Sequence, residues 1–95
     1  MSANNYTNVL TATTTVVKSG SGFLKAIVIN KAVALGVITI YDNTEASGTK
    51  IATITNPATL LGSMIYLPYD VRFSTGLTVV TSSTDDITIV WKWTS

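Results

Sequence analysis

The sequence predicts an all-β domain, an antiparallel β-sandwich of about eight short strands, a number that also suits a jelly roll. Three observations carry that expectation. Short runs of β-branched and aromatic residues recur along the 95 residues, as in Thr13, Thr14, Thr15, Val16 and Val17. Clusters of Gly, Asn, Asp, Ser and Pro punctuate them at the short intervals that hairpins and tight connections need. No segment carries a convincing helical period. The chain is one domain spanning 1–95.

The strand over residues 36–43 is the clearest. Gly36 opens it, Val37 to Tyr41 are nearly all β-branched or aromatic, and Asp42 and Asn43 close it with turn chemistry. Ile38 and Ile40 share one face, and Val37, Thr39 and Tyr41 share the other. Residues 50–55 return as its hairpin partner across a polar loop in which Gly48 supplies a positive φ. Asn56-Pro57 breaks the run.

The rest of the chain reads in order. Residues 1–8 are polar and irregular, an extended N-terminal contact arm. Residues 9–18 form a first strand because branched side chains are stiff at χ1. Residues 19–22 turn. Residues 23–30 form a second strand, with Phe23, Ile27 and Ile29 on one face around Lys25, and Leu24, Ala26 and Val28 on the other. Both faces are largely apolar, so this strand is expected to be covered on both sides. Residues 31–35 read equally as a helical turn or as a loop with apolar anchors. Residues 64–67 form a strand ended by Pro68, followed by a short extended piece over 69–73. Residues 77–81 are expected to pair with 87–93 as a hairpin, where Ile87, Ile89, Trp91 and Trp93 alternate with Thr88, Val90 and Lys92.

Composition points to association. Charged residues make up 12% of the chain, against about 25% in ordinary soluble domains. The chain has no cysteine and no histidine, so neither a disulfide nor a usual zinc site is available to staple so small a core. Hiding part of the outer surface against a partner is the remaining device, and a homo-oligomer is expected. The six cations are scattered and the net charge is +1. That leaves no footprint for nucleic acid or for a membrane surface. The first residues lack the basic and apolar stretches of a signal peptide, which points to the cytoplasm or to a particle assembled there.

Chemistry is sparse. The carboxylates Asp42, Glu45, Asp70, Asp85 and Asp86 sit where turns need them. Nothing in their spacing calls for a catalytic pair, so no enzyme activity is expected. Residues 42–45 and the pair Asp85-Asp86 offer oxygen ligands but match no EF-hand loop. They read as acidic turn residues, with Asp85-Asp86 at a hydrophilic tip; no metal or cofactor is expected. Trp91 and Trp93 read as core or interface residues, and as a sugar platform with Tyr66 and Tyr69 on the rival reading.

Three segments together resemble a known kind of protein. They are Gly22-Phe-Leu-Lys-Ala-Ile-Val-Ile-Asn30; Gly36-Val-Ile-Thr-Ile-Tyr-Asp-Asn43 with Gly48-Thr-Lys-Ile-Ala-Thr-Ile-Thr55; and Ser74-Thr-Gly-Leu-Thr-Val-Val-Thr-Ser82 leading into Asp86-Ile-Thr-Ile-Val-Trp91. This wording resembles the small, Thr-rich virion proteins of tailed bacteriophages that decorate or cement the capsid or form head fibres. The resemblance implies a β-sandwich on the capsid surface of a virion assembled in the host cytoplasm. It implies a homotrimer that bridges major capsid protein subunits. The alternative is a carbohydrate- or receptor-binding module on a fibre or particle surface. The contact residues expected are Asn5, Tyr6, Val9 and Leu10 near the N-terminus, Val33 and Leu35 in the loop after the second strand, and Trp93.

Overall fold

The computed structural model describes residues 4–59 and 64–93. Eight strands follow in order: β1 (Asn5–Val9), β2 (Thr14–Ser19), β3 (Gly22–Lys31), β4 (Val37–Tyr41), β5 (Lys50–Thr55), β6 (Ile65–Phe73), β7 (Gly76–Thr81) and β8 (Asp86–Trp93). They form two four-stranded antiparallel sheets, ordered β1-β8-β3-β6 and β2-β7-β4-β5. The first strand pairs with the last, the second with the seventh, the third with the sixth and the fourth with the fifth. That is one long antiparallel hairpin wound up into two layers, the topology of a jelly roll.

The winding explains where local reading fails. Residues 9–18 are not one strand, because Val9 closes β1 in one sheet while β2 lies in the other. Residues 10–13 make the crossing, and Thr81 fastens it: its hydroxyl donates to the carbonyl of Thr11 at 2.6 Å, and its N–H donates to that of Thr13 at 2.9 Å. Residues 5–8 belong to β1 and are paired to β8, so they are not a free arm; residues 1–3 lie outside the described residues. Likewise β7 and β8 do not form a hairpin. β7 pairs with β2 and β4, and β8 with β1 and β3. Alternation within each strand was legible, but alternation does not name the partner. Pro68 does not end a strand either. It sits inside β6, whose outer side is a sheet edge, where a missing N–H costs no ladder bond.

Two positions shape the strands. A bulge at Lys25 shifts the register of β3, so Leu24, Ile27 and Ile29 face the core while Ala26 and Val28 pair with the outward residues Val90 and Thr88. The expected grouping of Phe23 with Ile27 is therefore broken by one inserted residue. Gly22 lies under Phe73, where an added Cβ would stand 2.7 Å from the ring and 2.9 Å from the Lys92 carbonyl oxygen.

The core lies between the sheets. Leu24, Ile27, Ile29, Phe73, Ile87 and Ile89 come from one layer, and Ile38, Ile40, Leu77 and Val79 from the other. Each is essentially inaccessible to solvent. The face assignment of residues 36–43 holds: Ile38 and Ile40 are buried and β4 is an interior strand. Replacing Ile27 or Ile89 by Ala is expected to cost about 2–5 kcal/mol in urea denaturation, from lost transfer energy and the cavity left. Thr53→Ala, on an exposed position of edge strand β5, is expected to stay within about 0.5 kcal/mol of the parent.

Candidate interaction surfaces

The antiparallel winding sorts the connections into two ends. The β1–β2, β3–β4, β5–β6 and β7–β8 connections gather at one end, where Val9, Lys31, Ile65 and Asp86 stand at strand termini. The β2–β3, β4–β5 and β6–β7 connections gather at the other, with Gly22, Phe73 and Trp93 in register.

The first end is held by a buried polar knot. The Asn56 side-chain amide donates to Asp85 Oδ2 at 2.6 Å and to the Val33 carbonyl at 2.9 Å. The Asn56 backbone N–H donates to the Gly36 carbonyl at 2.9 Å. Asn56 and Asp85 are both buried. Gly36 is required here, since a Cβ would stand 2.8 Å from Asp85 Oδ1. Asp85 is thus no hydrophilic tip, as expected from the sequence, but a bracket joining three connections. At this end three large apolar side chains reach solvent: Leu10 after β1, Met64 before β6, and Leu35, which is 64% exposed. Leu35 also sits at φ 61. Lys31 ends β3, and residues 32–35 form a loop with a turn, not a helix. A leucine in the left-handed region is strained, and Asn or Gly fits there at less cost.

The second end is held by Asp42. Its carboxylate accepts from the N–H groups of Ser74 at 3.0 Å, Thr75 at 2.8 Å and Gly76 at 3.4 Å. Partial burial pushes the Asp42 carboxyl up, and these three donors outweigh it, holding it below the ordinary carboxylate range. Asp70, an exposed partner of Lys25, is lowered by that lysine's hydrogen bond and charge. Trp93 closes the core row: its ring meets that of Trp91 edge-on at 5.4 Å, and Lys18 Nζ lies 4.3 Å from its centroid.

The expected contact residues are therefore split. Val9 is 5% exposed and belongs to the core, so its side chain is unavailable for docking. The period-two pattern of β1 turns it inward with Asn5 and Thr7, both partly buried. Tyr6 points outward from the β1-β8-β3-β6 sheet and is 75% exposed. Leu10, Val33 and Leu35 come together at the first end, whereas Trp93 lies at the opposite one. The four aromatics of the sugar-platform reading do not share a surface. Trp91 and Tyr69 pack against the core, Trp93 meets Trp91 edge-on, and Tyr66 faces outward from β6. Sequence reasoning missed Met64 as an exposed anchor; its place after a connection at the same end as Leu35 is a fact of topology alone.

Among the described residues no group of His, Cys, Asp and Glu is placed to hold a metal ion. No protein-family model matches the chain, and no curated protein does. Among solved structures, a chain from the Bacillus endospore appendages, described as a novel family of disulfide-linked pili, is similar at a TM-score of 0.51 and 16% identity. The match covers 98% of this chain and 86% of that one. At that identity it bears on the fold, an all-β sandwich, and on nothing further.

Because the Asp42 carboxyl is lowered in the folded state, its contribution is present above the unfolded value of about 4 and is lost as pH falls through the lowered one. Asp42→Ala is expected to lose about 1–3 kcal/mol near neutral pH, the usual effect of removing hydrogen bonds to a charged group. In urea melts run at decreasing pH, the difference between parent and variant is expected to shrink below about pH 4.

Proposed function

We propose that the chain is a structural assembly protein of a virion, docking end-on to major capsid protein subunits and stabilising the shell by bridging them. The observation that carries this reading is the first end of the sandwich. Leu10, Leu35 and Met64 are each exposed in connections at that end, which the buried Asn56–Asp85 contact ties together. An exposed leucine held at φ 61 is a local cost that the fold does not need, and such costs concentrate where a contact uses them. The low charge of the chain and the resemblance of its three segments to Thr-rich phage virion proteins support the same reading. Binding the assembled shell but not its free subunits stabilises the shell by mass action. The likeness to a pilus protein is compatible with a building-block role, but disulfide linkage is closed to a chain without cysteine.

Leu35 allows folding and docking to be separated. Leu35→Asn suits the left-handed backbone, so the fold is expected to be at least as stable in urea. Co-sedimentation with shells built from major capsid protein is expected to weaken about tenfold, the loss of one buried leucine. The combination with Leu10→Asp is expected to abolish it. Full binding by the double variant would overturn the end-on contact.

A further inference from the structure

Strand β3 is apolar on both faces, but only one face is covered by the core. Its outward residues are Ala26, which is only 3% exposed, and Val28, which is partly buried; they lie in two cross-strand rows. One row runs Tyr6, Val90, Ala26, Pro68; the next runs Asn8, Thr88, Val28, Tyr66. Tyr6 and Tyr66 are 75% and 63% exposed at the two flanks. The outer face of the other sheet is mixed: Thr14, Thr39, Thr53 and Thr55 share it with Val37, Tyr41 and Val80, and with Val16, which is 50% exposed. The two exposed tyrosines leave large apolar surface uncovered at the flanks of this face.

The charges on this face are laid out in a definite order. At the Trp93 end, Lys92 and Arg72 flank Phe23 in the ladder, with Lys92 Nζ 6.0 Å from the Phe23 ring. Lys25 there is already paired with Asp70. At the opposite end stands Asp86, whose carboxylate accepts only from the neutral amides of Asn8 at 2.8 Å and Asn30 at 3.3 Å. Its ladder partner Lys31 makes no ion pair with it. One end carries Lys92 and Arg72, and the other carries Asp86 beside the exposed Lys31.

We propose that this face is covered by a second copy of the chain, sheet against sheet, about a two-fold axis that lies in the interface and crosses the strands. That axis reverses the order of the rows. Lys92 of each copy then meets Asp86 of the other, Ala26 meets Val28, and Tyr66 packs on Pro68, every contact made twice. An axis along the strands would instead gather the cations of both copies at one end. The face spans four strands about 4.8 Å apart and about eight residues of roughly 3.3 Å each, near 500 Å² per copy. The pair buries about 1,000 Å², the low end for a specific interface, so the dimer is reversible. The end bearing Leu35 stays free for a shell.

Sedimentation equilibrium of the full chain at micromolar concentration tests this. A mass near twice 10.1 kDa is expected. Val28→Lys and Tyr66→Lys, each checked by circular dichroism, are expected to weaken the dimer at least about tenfold. Tyr66 lies on an edge strand and its variant keeps the test open should Val28→Lys disturb the fold. Lys92→Glu and Asp86→Lys are each expected to weaken association, and their combination to restore it to within about threefold. A chain that stays monomeric or forms a trimer would overturn the proposal. So would a dimer indifferent to both lysine substitutions, or a charge-swapped double variant as weak as the singles.

Discussion

Everything in this molecule depends on one contact, the burial of Ile27, Ile29, Ile87 and Ile89 of one sheet against Ile38, Ile40, Leu77 and Val79 of the other. The chain is short, and a domain of this size buries a modest fraction of its unfolded surface. No cysteine supplements the core. Each of these strands must therefore present its branched residues to the same interlayer space, which fixes register throughout: a slip of one residue would turn the set to solvent. The bulge at Lys25 is tolerated because it restores the phase of β3 against β8 instead of losing it.

Given that core, the two ends have separate tasks. Asp42 gathers the N–H groups of Ser74, Thr75 and Gly76, which close the β6–β7 connection beside the β4–β5 loop. Asn56 and Asp85 bind the opposite connections from within. Both devices join segments about thirty residues apart and satisfy backbone or amide groups that the sandwich leaves without ladder partners. They hold the loops still, and a still loop can present an exposed leucine at small entropic cost on docking.

The outer surfaces then differ in kind. One sheet turns Val16 outward among threonines, the other turns Tyr6 and Tyr66 outward at its flanks, and one end carries Leu10, Leu35 and Met64. With 12% charged residues the chain has few charged groups with which to cover such surface. Association by the face and docking by the end are compatible, because the topology sets them on different sides of the strands.

Much of this was legible in the residues alone. Strand after strand announced itself by branched and aromatic runs, the β4–β5 hairpin by its polar loop, and the inward row of Ile87, Ile89 and Trp91 by a period of two. These are local properties, set by χ1 stiffness and pleat. Pairing is not local. Nothing between residues 76 and 93 says that β7 and β8 part into different sheets, or that Val9 leaves its neighbour Leu10 to face the core. Asp85 reads as a hairpin tip until Asn56 and Gly36 close over it. The sequence by itself determined an all-β domain and the faces of its regular strands, because period belongs to the chain. Only the tertiary structure decided which strands are neighbours and which apolar residues stay outside. Those choices come from closing a long hairpin into two layers around one core.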